Sequence, residues 1–113
     1  MDGENVIVVL VTAPKGEGSR IARHIVEKRL AACVNIISNI RSFYWWEGKI
    51  QDDEEELLII KTRRDFFEKL MDEVKRVHPY TVPEILALPV VAGNPDYVKW
   101  VYSEVGSGGP GQS

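Results

Sequence analysis

The chain has 113 residues, with 14 Lys+Arg against 17 Asp+Glu, one cysteine and two histidines, and 44% of it is apolar. That length fits one domain, since domains usually run about 100–150 residues, and a formal net charge of -3 with both signs interspersed is not the basic stripe of a nucleic-acid binder. A single cysteine excludes an internal disulfide and fits a reducing, cytoplasmic setting better than a secreted scaffold.

Met1 is followed by Asp2, Gly3 and Glu4 with no basic n-region, and the longest apolar run, 6–11, is far shorter than the about 20 residues of a bilayer span. Neither a targeting nor a membrane segment is expected. Val6-Ile7-Val8-Val9-Leu10-Val11 is an unbroken β-branched-rich run, the mark of a strand buried on both faces and central in its sheet. Turn chemistry over 12–18 is expected to stop it. Ile21, Ala22, Ile25, Val26, Arg29 and Leu30 then recur at three and four residues, which predicts a helix to about Ala32.

From Cys33 to Trp46 the helical period disappears, and Val34, Ile36, Ile37, Ile40, Phe43, Tyr44, Trp45 and Trp46 predict a long strand whose changes of face imply a bulge. Glu47-Gly48 is a tight turn, with Glu47 an unfavourable residue for positive φ. A second long strand, 50–63, contains the doubly buried stretch Leu57-Leu58-Ile59-Ile60. Phe66, Phe67, Leu70, Met71, Val74 and Val77 resume a helical spacing that His78-Pro79 ends, with Asp65 placed to cap it or complement its charge. After the stiff Tyr80-Thr81-Val82-Pro83, a fourth strand is expected over 84–91, at a sheet edge because Pro89 cannot donate to a central ladder. A short helix over 95–103 follows, and the Gly-rich 106–113 reads as a flexible tail to a single domain over 1–105.

The order strand, helix, strand, strand, helix, strand is the α+β ferredoxin-like βαββαβ arrangement, here with an extended central hairpin and a short C-terminal helix. That fold centres its first and third strands, the two that read as doubly buried, and puts the proline-bearing fourth strand at an edge. Each hairpin arm of about 13 residues spans about 43 Å, while the first helix, at about 16 residues, covers only about 24 Å. The aromatics at its far end either fold back on their own core or pack between identical subunits. Small domains often gain stability by oligomerising, which favours the second.

The chemistry-bearing residues each have a plain reading beside a functional one. Lys15-Gly16-Glu17-Gly18-Ser19 lies where a helix N-terminus can hold an anion, but it lacks phosphate-loop spacing and reads as an ordinary loop and helix start. Cys33 is a soft metal ligand or thiolate, or simply a small buried residue at a strand start. His78 is a helix C-cap or a ligand, shared with Glu84 or Cys33 across subunits because a closed zinc site takes about four ligands. His24 lies between apolar helix positions and reads as solvent-facing or partly packed. Asp52-Asp53-Glu54-Glu55-Glu56 attracts hard cations or, split between strand faces, is a solvated charge run that protects an edge.

The motifs Val11-Thr12-Ala13-Pro14, Ala31-Ala32-Cys33-Val34-Asn35, Ser42-Phe43-Tyr44-Trp45-Trp46-Glu47-Gly48-Lys49-Ile50, Ile60-Lys61-Thr62 and His78-Pro79-Tyr80-Thr81-Val82-Pro83-Glu84-Ile85 resemble the CutA family of divalent-cation tolerance proteins. The resemblance runs over nearly all of 6–102. It implies a homotrimer of ferredoxin-like subunits, similar in architecture to PII signal proteins, with hairpins wrapping their neighbours. It also implies binding of copper or another divalent metal and a cytoplasmic role in metal tolerance. Some bacterial members ligate copper through a cysteine before the Thr-x-Pro turn and two histidines before Pro-Tyr; here those positions are Val11 and Val77-His78, so only His78 matches.

Two functional expectations follow. One is a non-enzymatic metal-responsive trimer using His78, Cys33 and Glu84. The other is a PII-like signalling or scaffold trimer holding a small anion in an intersubunit cleft near Tyr44, Trp46 and Lys61. Acylphosphatases share the topology, but their glycine-rich Arg-bearing loop has no match here, and topology alone warrants no reaction.

Overall fold

The computed structural model describes residues 5–106. In chain order the elements are β1 (Val6–Pro14), α1 (Gly18–Glu27), β2 (Cys33–Trp46), β3 (Lys49–Arg63), a 3-10 turn (Arg64–Phe66), α2 (Phe67–Val77), β4 (Ile85–Pro89) and α3 (Pro95–Glu104). The strands form one antiparallel sheet in the order β2-β3-β1-β4, the ferredoxin-like arrangement read from the sequence, with β1 and β3 central and β4 at an edge. The expected tail, 106–113, lies outside the described residues apart from Gly106, whose N–H donates to the Arg29 carbonyl at 2.9 Å.

The pleat sorts the sheet into two faces. Val9, Val11, Ala13, Leu58, Ile60 and Thr62 turn to one side, where they are buried against Ile21, Ile25, Leu70 and Val74 of α1 and α2. Val8, Leu10, Leu57 and Ile59 turn to the other. There α3 covers only one end, packing Val98 and Val101 on Val6. Elsewhere this second face is open, leaving Leu86 56% and Leu88 46% exposed.

Three element boundaries differ from the sequence expectation. β1 continues through Thr12, Ala13 and Pro14, which pair with Leu57, Glu56 and Glu55; a proline at a strand end leaves the ladder intact. α1 stops at Glu27 and not near Ala32, because Arg29 adopts φ 60 and the Arg29 and Leu30 N–H groups close back on Val26 and Ile25, each at 3.0 Å. This is a Schellman closure, usually made by glycine. Arg29 is held there by Glu104, whose Oε1 accepts from its Nη1 at 2.9 Å. β4 is shorter than 84–91, ending with Pro89 opposite Ile7. Asp65, expected to cap the second helix, instead accepts from Arg63 Nε and Nη2 at 2.9 and 2.7 Å, and α2 starts without a side-chain cap.

β1 pairing with β3 ends at Pro14↔Glu55, whereas β2 and β3 stay paired to Trp46↔Lys49. The first six residues of β3, 49–54, therefore form a two-stranded ribbon with β2 alone. Its 3.3 Å rise makes the 15-residue β3 about 50 Å long, against about 15 Å for the 10-residue α1. The chain accordingly extends 48 × 27 × 22 Å. At the tip Glu47 and Gly48 take φ 50 and φ 77, so Glu47 does accept the positive φ of a type I′ hairpin turn. Phe43 at 62% and Trp45 at 72% exposure do not fold back on the chain's own core.

Candidate functional site

A bulge decides which aromatics face which carboxylates. Between Ile37↔Leu57 and Ile40↔Glu55 the β2 strand carries one residue more than β3, and Asn39 absorbs it at φ 64, a conformation asparagine tolerates better than most residues. Below the bulge the even-numbered Val34 and Ile36 face the helices; above it the even-numbered Ser42, Tyr44 and Trp46 face the other way, on the side of Asp53 and Glu55. The ribbon and the 79–84 loop then enclose a groove of about 860 Å³. Residues 41–46, Pro79, Tyr80, Thr81, Val82 and Glu84 line it together with Thr12 and Glu55.

The loop is held there by His78. Past the last β1–β4 pair, Val11↔Ile85, the Thr12 carbonyl accepts from His78 Nε2 at 2.8 Å, and the Tyr80 N–H donates to His78 Nδ1 at 3.0 Å. These partners assign the Nε2–H tautomer and occupy both ring nitrogens. The ring is 8% exposed and lies 5.1 Å from the Tyr80 ring. Tyr80 in turn donates its hydroxyl to Glu55 Oε2 at 3.0 Å, and Tyr44 donates to Asp53 Oδ2. Burial first, then the adjoining Glu55, push the Tyr80 hydroxyl well above its usual pKa, and the hydrogen bond to Asp53 raises that of Tyr44.

The five-carboxylate run is not simply solvated. Asp52 receives Arg41 Nε and Nη2 at 2.9 and 2.8 Å, Asp53 receives Tyr44, Glu54 pairs with Lys15 at 3.6 Å and Glu55 receives Tyr80. Glu56 Oε1 accepts the Gly18 N–H at 2.8 Å, at the first residue of α1. A side chain at Gly18 would collide there, since a Cβ would stand 2.5 Å from that oxygen. The Lys15–Ser19 segment is thus the loop and helix start that its spacing suggested, anchored by Glu56. His24 is partly packed, its Nε2 meeting Glu73 Oε2 at 2.5 Å. Arg76, then His24, depress the Glu73 carboxyl to about 2.

The remaining sequence candidates are dispersed within one chain. Cys33 is opposite Lys61, which pairs with Val8; four residues of β1, about 13 Å, separate Val8 from Thr12 and the His78 ring. The thiol lies beside Tyr97 of α3, whose hydroxyl is raised by burial and then by Cys33. Glu84 is exposed in the groove wall. Lys61 binds Asn35 Oδ1 and the Ile59 carbonyl, ten β3 residues or about 33 Å from Gln51, the partner of Tyr44. Tyr44 and Trp46 share the groove, and Lys61 does not. Among the described residues no three His, Cys, Asp or Glu side chains converge as metal ligands. Glu55 and Tyr80 were not singled out from the sequence; the signal for Tyr80 was its position in the His-Pro-Tyr block, and Glu55 was hidden by its four acidic neighbours.

An antiparallel βαββαβ sheet whose second and third strands outgrow the domain defines a ferredoxin-like protein with a projecting hairpin. Residues 7–104 match the family model of the CutA1 divalent ion tolerance protein, and the chain belongs to that family. It is 50% identical to the divalent-cation tolerance protein CutA of Thermus thermophilus over 100 residues, which are 88% of this chain and 97% of that one. The solved structure of the Thermus thermophilus protein superposes with a TM-score of 0.86 at 49% identity, covering 89% of this chain and 99% of that one. The chloroplastic CutA 1 of Oryza sativa is 54% identical over 96 residues, 84% of this chain; the match spans 54% of that relative's length. No helix among the described residues is long and apolar enough to cross a membrane.

Proposed function

We propose that residues 1–105 act as one domain that assembles into a homotrimer, binds divalent metal, copper foremost, and serves cation tolerance in the cytoplasm without catalysing a reaction. The single observation that carries the assembly is the unpartnered apolar surface: Leu86, Leu88 and Ile37 on the open sheet face, and Phe43 and Trp45 on the ribbon, are all between 46% and 72% exposed. Patches of that kind on a small domain mark an interface. The lone Cys33 supports a reducing compartment, and the names of the relatives support the tolerance role.

His78, Cys33 and Glu84 are the proposed metal ligands. One protomer keeps them apart, so the site takes ligands from two subunits, and His78 coordinates by exchanging its bond to Tyr80 or Thr12 for a metal bond. Calorimetric titration of copper into the assembled protein tests this directly: His78→Ala and Cys33→Ser are expected to abolish binding. Affinity unchanged in both would remove the metal assignment.

The groove supports a second reading, a PII-like trimer that takes a small ligand near Tyr44 and Trp46. Its volume of about 860 Å³ falls in the range of small-molecule sites, about 300–1,000 Å³. Lys61 joins such a site only if a neighbouring subunit supplies it.

A further inference from the structure

Glu55 stands where the ribbon leaves the sheet. It pairs with Pro14, the last β1 residue in register with β3, and with Ile40, the first β2 residue past the bulge. Beyond it, 49–54 have only β2 beside them. A two-stranded ribbon is marginal on its own and twists more freely than a wider sheet. A rise of about 3.3 Å per residue carries 49–54 about 20 Å beyond Glu55. Strand twist varies by roughly 10° about its mean, so over that length an unsupported ribbon would swing its tip by about 3–4 Å. The exposed Phe43, Trp45 and Ile50 ride on this lever.

One loop reaches the base of the lever. Tyr80 donates its hydroxyl to Glu55 Oε2 on β3 at 3.0 Å. On β2 the Tyr44 hydroxyl is raised first by its bond to Asp53, and the Tyr80 hydroxyl lies close enough to oppose that rise. Tyr80 therefore bears on both strands of the ribbon. The root of the loop is held from three elements: the His78 N–H donates to the Val74 carbonyl at 2.8 Å, Arg20 Nη2 of α1 donates to the Val77 carbonyl at 3.0 Å, and the His78 ring joins Thr12 of β1 to the Tyr80 N–H. Pro79 and Pro83 restrict the backbone between root and contact. We propose that the 79–84 loop is a strut that fixes the direction of the ribbon, with Tyr80 braced on Glu55 so that the apolar tip is presented at one angle to the sheet. The inference deepens the assembly reading, in which this tip meets a neighbouring subunit, and it requires neither a ligand in the groove nor a metal.

Spin-label distances measured by pulsed dipolar spectroscopy test it. Labels are placed at Lys49→Cys on the ribbon tip and Lys75→Cys on α2, in a Cys33→Ser background, and labelled protein is diluted with unlabelled protein so that each assembly carries one labelled chain. A second pair, Glu27→Cys with Lys75→Cys, spans the two helices and reports general loosening. Tyr80→Phe is expected to shift or broaden the tip distance by about 3 Å or more and to leave the helix pair unchanged. Glu55→Gln keeps an oxygen that accepts from Tyr80 and is expected to hold the wild-type distance. An unchanged tip distance in Tyr80→Phe would overturn the strut, as would equal broadening of both label pairs. Loss of the wild-type distance in Glu55→Gln as large as that in Tyr80→Phe would overturn Tyr80–Glu55 as the bracing contact. Sedimentation separates the two readings, since a wild-type mass of one chain would overturn the assembly reading while the distances still decide the strut.

Discussion

Replacing His78 by alanine removes the two hydrogen bonds that fasten the 79–84 loop to β1, at 2.8 Å to the Thr12 carbonyl and 3.0 Å from the Tyr80 N–H. Each bond is worth about 0.5–1.5 kcal/mol net, and a buried group left without a partner costs about 1–3 kcal/mol. With the ring 8% exposed, little water is at hand to compensate either group. The expected loss is about 2–4 kcal/mol, which at an m-value of about 2 kcal/mol/M lowers the urea midpoint by about 1–2 M. The measurement is equilibrium urea unfolding at one fixed protein concentration, because the proposed assembly would couple to stability. His78→Asn is the informative companion: its Oδ1 can take the place of Nδ1 toward Tyr80, while its side chain is too short for Thr12, so about half of the loss should return. A midpoint shift below about 0.3 M for the alanine variant, or equal shifts for both variants, would refute the latch.

Three further outcomes follow from separate parts of the molecule. Glu73 has its folded pKa depressed from 4.5 to about 2 by Arg76 and His24, so its contribution is present above pH 4.5 and is lost as pH falls toward 2; Glu73→Gln should flatten the pH dependence of stability in that window, seen by thermal melts at stepped pH, and an unchanged slope would discount the pairing. Leu86→Glu with Leu88→Glu on the open sheet face should leave the circular dichroism of the protomer intact and reduce the sedimenting mass to one chain, whereas an unaltered mass would place the interface elsewhere. Glu47→Asn at φ 50 should raise stability by about 0.5–1 kcal/mol, since asparagine tolerates the first position of a type I′ turn better, and a loss on urea unfolding would contradict the turn assignment.

The sequence by itself determined the element order, the central places of β1 and β3, the edge place of β4 and the excess length of the hairpin. These are local properties: β-branched runs without alternation need cover on both faces, Pro89 excludes a central ladder position, and strand rise exceeds helix rise about twofold. It did not determine where α1 ends, because Arg29 and Leu30 continue the helical spacing while a carbonyl contact with Gly106 and the ion pair with Glu104, both far along the chain, hold Arg29 in the left-handed region. The candidate site was legible only in part, through Tyr44, Trp46, His78 and Glu84. Which aromatics meet which carboxylates depends on the one-residue bulge at Asn39, since a single extra residue reverses every side chain beyond it. A run of five adjacent acids reads as one feature in sequence, yet the pleat and three separate elements give Glu55 a tyrosine, Glu56 a helix start and Glu54 a lysine. Tertiary structure decided the chemistry because partners distant along the chain, and not neighbours within it, set burial, charge and hydrogen bonding at each of these residues.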